Sequence, residues 1–423
     1  MNNISLLGST SRVEVPFIKV TFGSGSNAYS FGVYQKTTSR KMDEDGFYEA
    51  AKIVYPNYIK SLNITKINGQ VNQYTLNIAY PITATDDPNF FEKVFSSVSK
   101  TRKITFSYGD IALPTFIYKE EEALITNIKT QFNIQNSVIN YTVSAVSSAN
   151  LLSIGAYKFT NVGLKKPSDE IKKLLSNPKY GLKEIFYGMN DIEKVISAGL
   201  IPGNDKEVIL ESKNNISVLD YLLYLVSCMV PASNSFGGEI TSKTIYILTI
   251  VDDITGEFGG PYFKITPTTK NIETSEAYEI DIGYPTANIV ISFSIDNQEN
   301  YSIYYDWQKQ LNDKEYIYRI NDQGEWEEEY APIISSKNEQ YKTRVDDRVW
   351  WTKVTEYPIS AQITIKGLLR PAILMSYVRL RVYFFGWEHI SSGLYIITKQ
   401  QDSIDENSGY RTTLNLTRVS KAE

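Results

Sequence analysis

Nucleophilic catalysis in this chain would have to use His389, because it is the only histidine among 423 residues. A serine or cysteine nucleophile needs such a base within hydrogen-bond reach, and a third group must orient the base. His389 lies between Glu388 and Ile390, shortly after Gly386, in a segment typical of a hairpin turn. We therefore expect a turn residue at this position and no catalytic base.

Metal and nucleotide sites are also poorly supported by the residue types. One cysteine and one histidine cannot complete a closed zinc site, and no Asp-x-Asp-x-Asp-Gly calcium spacing occurs. Gly23, Gly25 and Ala28 match the dinucleotide-binding spacing, but Tyr29–Tyr34 continues as a strand where the pyrophosphate needs a helix N-terminus. A hairpin turn fits better. The sequence thus predicts no catalytic, cofactor-binding or metal-binding residues, and no cofactor.

Paired carboxylates are the remaining enzymatic alternative, because β-rich glycosidases need only two acids at a suitable separation. Acidic runs in loops are ordinarily solvated surface, so we expect no enzyme. The acids that could form such a pair are Asp252, Asp253, Asp346, Asp347, Glu120 to Glu122 and Glu327 to Glu329.

Five tryptophans offer a second alternative, a platform for binding sugars. They are Trp307, Trp326, Trp350, Trp351 and Trp387. Barrel cores and subunit interfaces favour the same residue type. In a strand, the adjacent Trp350 and Trp351 would point to opposite faces, so we expect one in a core and the other at a neighbouring subunit.

Composition excludes several classes of protein. The formal charge of −5 argues against a nucleic-acid binder, which needs a basic footprint. The lone cysteine, Cys228, lies in the apolar run Ile216–Val230, which is too short to span a bilayer and predicts a buried helix with an inert thiol. The first eleven residues lack the pattern of a secretory signal.

The N-terminal module, residues 1–150, is predicted to be mainly β. Ser61–Ile67 and Val71–Tyr80 flank Asn68-Gly69, which favours a tight hairpin. Asp87 and Pro88 begin a helix to Ser99 that should cover one end or face of the sheet. The other predicted strands are Phe17–Phe22, Tyr29–Gln35, Lys103–Tyr108, Leu124–Ile134 and Val138–Ser147.

The middle module, residues 151–270, has the texture of a small α+β insert. Predicted helices cover Ser168–Ser176, Asn190–Ala198 and Ser217–Val230, the last beginning at a capping-box spacing. Predicted strands cover Ile245–Val251 and Tyr262–Ile265.

The C-terminal module, residues 271–423, returns to strands and ends in four alternating segments. The last two, Leu394–Thr398 and Thr412–Val419, should bracket a polar connection that ends in Ser408 and Gly409. The earlier predicted strands are Ala287–Ile295, Tyr301–Trp307 and Glu315–Ile320. We therefore expect a mainly β chain with two β-barrel domains separated by a small α+β region.

The order of modules resembles the baseplate hub proteins of tailed bacteriophages and related contractile injection systems. The likeness is carried by Ser360–Gly367, with its Ile-Thr-Ile-x-Gly ending, by Tyr377–Phe385, by Gly393–Ile397 and by Gly409–Leu416. The helix start Lys166–Asp169 also resembles the beginning of that family's middle domain. Where many members carry a histidine before the final strand, this chain has Gln401 and Asp402.

The resemblance implies a structural virion protein of the tail or baseplate, made in the host cytoplasm. It would be a homotrimer whose six barrels form a pseudo-sixfold ring, which joins a hexameric tail tube to a trimeric spike or fibre. Its partners would be the tube protein, a spike or tail-tip protein and the tape-measure protein, with DNA only in transit and no membrane insertion. A carbohydrate-binding adhesin and a β-rich glycosidase remain as alternatives.

Overall fold

The structure is a computed structural model. It describes residues 16–24, 28–36, 51–54, 58–67, 69–83, 86–98, 102–110, 117–161, 163–186, 192–229, 245–252, 261–268, 278–282, 290–297, 316–320, 326–330, 359–367, 374, 377–389, 391–405 and 408–421.

The described residues of the N-terminal module form antiparallel strands and a helix, as predicted. The strands are β1 Pro16–Phe22, β2 Tyr29–Lys36, β3 Ala51–Val54, β4 Ile59–Ile67, β5 Gln73–Pro81, β6 Lys103–Asp110, β7 Ile117–Asn133 and β8 Val138–Ser147. Alternate residues of β8 are buried along its whole length, which is the period expected of a half-buried strand. The strand after Gly23 is β2, paired antiparallel with β1, so no helix N-terminus follows the glycines.

The helix of this module, α1 Phe90–Val98, begins where the sequence places its cap. The carboxylate of Asp87 accepts a hydrogen bond from the backbone N–H of Asn89 at 2.9 Å. Four apolar side chains of α1 are buried against the β strands, and they are Phe91, Val94, Phe95 and Val98. Phe91 and Phe95 both contact Tyr141 of β8, with ring centroids 5.2 and 5.3 Å apart.

The middle module is the predicted α+β insert. Its helices are α2 Pro167–Ser176, α3 Leu182–Ile185, α4 Ile192–Ser197 and α5 Val218–Ser227, and its strands are β9 Tyr157–Phe159, β10 Leu164–Lys165, β11 Val208–Ile209, β12 Lys213–Ile216, β13 Ile245–Val251 and β14 Tyr262–Thr268. The hydroxyl of Ser217 accepts from the Asp220 N–H at 3.0 Å, which confirms the predicted cap of α5. Cys228 is buried just after that helix. Within the described ranges, no helix is long and apolar enough to cross a membrane.

The C-terminal module contributes β15 Tyr278–Ile282, β16 Val290–Asn297, β17 Tyr316–Ile320, β18 Trp326–Tyr330, β19 Ile359–Lys366, β20 Tyr377–Phe384, β21 Trp387–Glu388, β22 Gly393–Asp405 and β23 Gly409–Lys421. The predicted strand Tyr301–Trp307 lies outside the described residues. The four segments that carry the family resemblance all fall in strands: β19 pairs with β23, β23 with β22, and β22 with β20.

One sheet contains strands of both terminal modules. Its order is β16-β19-β23-β22-β4-β5-β8-β7-β6-β1-β2-β3, with β20 also pairing with β22 and β15 with β20. The junction is the antiparallel pair β22–β4, whose register runs from Lys399 opposite Ile67 to Asp405 opposite Ser61. The prediction of a mainly β chain with an α+β insert is confirmed. Closure of each half into a barrel stays a prediction.

One local prediction about a connection was wrong, and it concerns the contact between the terminal modules. The polar segment Lys399–Asp405 is not a connection but the second half of β22, which pairs with β4 on one side and β23 on the other. Burial of the polar side chains Gln400 and Asp402 hides this strand from a hydrophobicity pattern. The predicted β4–β5 hairpin is confirmed, although β5 begins at Gln73 and not at Val71, which packs against the middle-module core.

Three buried clusters of hydrophobic residues accompany the three modules. The first lies under α1 and also takes in Ile404 and Tyr410 from the C-terminal strands. The second is centred on α2, α5 and β13, and the third on β19, β22 and β23. Because Ile404 and Tyr410 belong to the first cluster, the end of the chain completes the core near its beginning.

Gly367 provides a test of the packing at the end of β19. A Cβ at this position would lie 2.2 Å from Cγ of the Tyr410 ring, and its N–H donates to the Tyr410 carbonyl at 2.8 Å. We predict that Gly367→Ala lowers the free energy of unfolding by about 1–3 kcal/mol, since the ring must move. Denaturant unfolding measures this. Gly203→Ala, whose Cβ would meet only Lys172 Nζ at 3.8 Å, is the matched control and should change stability little. Equal effects of the two substitutions would contradict the close contact between Gly367 and the Tyr410 ring.

Candidate functional site

Among the described residues, four ionisable groups lie close together where the three modules meet. We call Lys66, Glu121, Asp252 and Asp402 the charge cluster; Lys66 and Glu121 belong to the N-terminal module, Asp252 to the middle module and Asp402 to the C-terminal module. All three acids have an exposed fraction of 0%. Charges removed from water to this extent are expensive unless they are paired or neutralised.

Lys66 and Glu121 form the ion pair of the cluster. Lys66 Nζ donates to Glu121 Oε1 at 2.5 Å, and the two side chains are 13% and 1% exposed. Two buried phenols complete the site of the carboxylate: Tyr74 donates to Oε2 at 2.7 Å and Tyr108 to Oε1 at 2.6 Å. Glu121 therefore accepts three hydrogen bonds, one of which carries a full positive charge.

Burial and hydrogen bonding act in opposite directions on this pair. Burial alone would raise the pKa of Glu121, but the charge of Lys66 and the donors Lys66, Tyr108 and Tyr74 outweigh it, so the pKa is lowered. Burial likewise disfavours the ammonium of Lys66, yet Glu121 first and Asp402 next raise its pKa above the ordinary value. Both groups are thus held in their charged forms, which suits a structural ion pair.

Asp252 follows β13 and is held by two uncharged side chains. Asn72 Nδ2 donates to its Oδ2 at 2.6 Å, and Ser147 Oγ lies 2.6 Å from its Oδ1. Burial raises the pKa of Asp252 to about 7, and the neighbouring charge of Glu121 raises it as well. The hydrogen bonds and Lys66 act the other way and do not compensate.

Asp402 supplies the contribution of β22. Thr412 Oγ1 donates to its Oδ1 at 2.6 Å, and Gln400 Nε2 donates to its Oδ2 at 2.9 Å. The ring of Tyr410 stands edge-on to that of Tyr108 with centroids 6.0 Å apart, so phenols from the two terminal modules are in contact. Proximity to Asp402 and Glu121 adds to burial in raising the pKa of Tyr410.

The arrangement links side chains of all three modules through charge and hydrogen bonds. Two of the predicted acids, Glu121 and Asp252, are brought close enough for their charges to interact. Glu122 forms an ion pair with Lys103 at 2.5 Å, while Glu120 is partly exposed. Glu327 to Glu329 lie on β18, and Asp253, Asp346 and Asp347 fall outside the described residues.

Lys66 and Asp402 were not predicted as site residues, although a signal existed. On β4 the buried positions Leu62 and Ile64 are followed at the same spacing by Lys66, and on β22 Asp402 alternates with the buried Gln400 and Ile404. A charged residue at an inward position of a strand requires a buried partner. Alternation alone could therefore identify these residues as members of a buried network, but not their partners.

His389 lies beside the β20–β21 hairpin, as predicted. Its Nδ1 is 2.7 Å from Ser391 Oγ, a distance suited to a nucleophile and its base. The pair is local, however: the Ser391 N–H also points at Nδ1 at 3.3 Å, and Ser391 is only 2% exposed. This geometry closes a turn and leaves the hydroxyl out of reach of a substrate.

The tip of the same hairpin carries exposed aromatic side chains. Phe384, Phe385 and Trp387 are 58%, 103% and 81% exposed. The far end of the β7–β8 hairpin similarly exposes Phe132 and Ile134. Large exposed apolar groups concentrated at hairpin ends are typical of surfaces that bind a partner.

The positions of the other four tryptophans and the possibility of a metal site can be examined only within the described residues. Trp307, Trp350 and Trp351 lie outside the described residues, and Trp326 begins β18. In the part of the chain that is described, no three His, Cys, Asp or Glu residues are grouped so as to hold a metal ion. The charge cluster contains its own cation, Lys66.

Comparison with known proteins finds similar solved structures but no similar sequences. No protein-family model matches the chain, and no curated protein matches it in sequence. The tail protein from Neisseria meningitidis MC58 is 8% identical, with 95% of this chain and 96% of that chain covered and a TM-score of 0.48. The 43 kDa tail protein of prophage MuSo2 from Shewanella oneidensis is 10% identical, with 95% and 98% covered and a TM-score of 0.45.

A third similar structure is the lidded Francisella PdpA–VgrG complex. It is 12% identical, covers 97% of this chain and 54% of that chain, and has a TM-score of 0.46. Two of these three structures are described as tail proteins, and one of the two comes from a prophage.

The ion pair of the charge cluster yields a prediction for stability. Glu121→Gln should lower the free energy of unfolding by about 3–5 kcal/mol near neutral pH, because it removes the carboxylate that is hydrogen-bonded to the largely buried Lys66 ammonium. Glu122→Gln breaks the more exposed pair with Lys103, whose side chains are 28% and 15% exposed, and should cost no more than about 1 kcal/mol. Denaturant unfolding of both variants tests the difference. Similar losses of unfolding free energy in the two variants would show that burial does not set the cost of breaking the Lys66–Glu121 pair.

The lowered pKa of Glu121 also predicts how the free energy of unfolding depends on pH. Because the folded-state pKa of Glu121 lies below its ordinary value, its stabilisation is present above that value and is lost as the pH falls through the lowered one. Wild type should therefore lose stability on acidification in the carboxylate range more steeply than Glu121→Gln. Unfolding free energies measured across that range check this, and parallel curves would contradict it.

Proposed function

We propose that the chain is a structural, non-enzymatic component of a phage tail, acting as the trimeric hub of the tail or baseplate. The observation that carries the proposal is the β22–β4 pair, which puts both terminal β modules side by side in one sheet. A hub needs such a double unit, because three copies then supply six β modules. The middle module lies between them in sequence, but the strands β9 to β14 pair only with one another in the described sheets.

The family resemblance gains support from the strands that carry it. Its four segments coincide with β19, β20, β22 and β23, which pair with one another. The most N-terminal of them ends at Gly367, where a side chain would collide with Tyr410. A glycine at the end of this motif therefore has a packing reason in this chain.

Symmetry explains how such a chain could join two parts of a tail. A trimer with two similar β modules per copy presents six near-equivalent positions towards a hexameric tube and three equivalent positions towards a trimeric spike or fibre. The exposed side chains Phe132, Ile134, Phe385 and Trp387 at two hairpin ends are suited to burial between subunits or against the adjoining ring.

Charge and composition fit a passage for DNA. A net charge of −5 disfavours adhesion of a polyanion, so DNA in transit would not be held. In this proposal the partners are further copies of the chain, the tube protein, a spike or tail-tip protein and the tape-measure protein, and the location is the virion. The acids of the charge cluster support a structural role, because each accepts a hydrogen bond from a neighbouring side chain.

The proposal predicts threefold assembly on the tail axis. Native mass spectrometry of the purified chain with its tube protein should give a species containing three copies, and images of the particle should place it on the axis with sixfold-like density. Substituting Phe385→Ser and Trp387→Ser together should leave the unfolding transition unchanged and weaken assembly, since both side chains are exposed. The matched control is Phe106→Ser, which is buried and should unfold the protein. A peripheral position without threefold order would contradict a hub.

A carbohydrate-binding adhesin is the second candidate, favoured by the exposed Trp387 beside Phe385. Aromatic faces of this kind can stack on sugar rings. A glycan array with wild type and Trp387→Ala separates the two candidates. The hub proposal predicts no glycan signal for either protein, whereas binding that disappears in the variant would establish the adhesin.

A further inference from the structure

We propose that Asp252 holds the middle module on the N-terminal β module in its neutral, protonated form, and that loss of this proton loosens the contact. The inference goes beyond a tail role and does not depend on it. It concerns a protonation-controlled attachment between two parts of the chain.

The contacts of Asp252 suit a neutral acid. Both of its partners are uncharged: the Asn72 amide, 2.6 Å from Oδ2, and the Ser147 hydroxyl, 2.6 Å from Oδ1. Asn72 can only donate through Nδ2, whereas the Ser147 oxygen can accept a proton from the acid. Ser147 Oγ already accepts from the Ala149 N–H at 3.1 Å, and a hydroxyl oxygen has capacity for a second donor. A protonated Asp252 therefore keeps both contacts.

The charges around Asp252 do not favour a second anion. Lys66 on β4 is the nearby cation, and its short hydrogen bond goes to Glu121 on β7. Asp402 on β22 also interacts with Lys66, and Tyr74 on β5 interacts with both Glu121 and Asp252. If every group were ionised, one ammonium would face three carboxylates, all of which are fully buried. A proton on Asp252 relieves this repulsion.

The residues that bind Asp252 are also those that join the modules. Asn72 belongs to the connection between β4 and β5, where Val71 packs on the middle-module core. A Cβ at Gly69 of this connection would lie 3.8 Å from the Leu223 side chain of α5. Ser147 ends β8 and accepts from Ala149, whose side chain is in the same middle-module core. Weakening the hydrogen bonds of Asp252 therefore acts on the contact itself.

The direction of the pH effect follows from the raised folded-state pKa of about 7. Between the ordinary aspartate pKa and this raised value, Asp252 is deprotonated in the unfolded or detached chain but stays protonated in the assembled site. The attachment is therefore strongest below this pH window and weakens as the pH rises through it. Above the raised pKa its strength no longer changes with pH. Glu121 has the opposite effect, because its stabilisation is lost as the pH falls, and it does so at lower pH.

Hydrogen exchange of the full chain tests the proposal. We expect amides of residues 69–72 and of β13 to lose protection by roughly tenfold to a hundredfold between about pH 5 and pH 8, after correction for the intrinsic rate. Amides in the β7–β8 ladder should not follow this profile. In Asp252→Asn, the amide can accept from Asn72 and donate to Ser147, so its protection should be independent of pH over the same window.

Asp169→Asn is the matched control, because this exposed acid lies in the same module and pairs with Lys172 on the surface at 3.1 Å. It should reproduce the wild-type profile. A wild-type profile that is flat at residues 69–72 and β13 would overturn the proposal, and so would an equal loss of protection in Asp252→Asn. If Asp252→Asn does not fold, the wild-type profile still decides between the two outcomes.

Discussion

Pairing between β22 and β4 is the interaction on which the rest of the structure depends. It places strands from the end of the chain beside strands from its beginning, and it adds Ile404 and Tyr410 to the N-terminal core. Contacts so distant in sequence close a very long loop, which has a large entropic cost. The compensation is a continuous ladder of backbone hydrogen bonds together with burial of apolar surface on β4 and β22.

The charge cluster explains why this junction has one register. Lys66 and Asp402 occupy inward positions of the paired strands, and each side chain has hydrogen-bond partners in the interior. A slip by one residue would turn these groups outward and bring Thr65 and Gln401 inward, without partners for Glu121. Buried ion pairs contribute little net stability, but leaving one partner unpaired is costly. The cluster therefore specifies the junction more than it stabilises it.

Local structure was largely predictable from the sequence, while the contacts between modules were not. Alternation in β8 and β20, the Asp87 start of α1 and the Ser217 cap of α5 are encoded within a few residues. The strand character of Lys399–Asp405 is not, because two of its inward positions, Gln400 and Asp402, are polar, and Asp402 becomes favourable there only next to Lys66 and Thr412. Glu121 and Asp252 could be named as notable acids, but their proximity depends on the packing of two segments that are far apart in sequence.

The junction is tested most directly by a disulfide placed across it. Asn63 and Ser403 are direct partners in the β4–β22 register and both are partly exposed, while the native Cys228 is buried. Residues that face each other across antiparallel strands lie within disulfide reach. Asn63→Cys with Ser403→Cys should form an intramolecular bond on oxidation, and Asn63→Cys with Lys399→Cys, four positions out of register, should not. Failure of the first pair to close, or equal closure of both, would contradict a single sheet shared by the two ends of the chain.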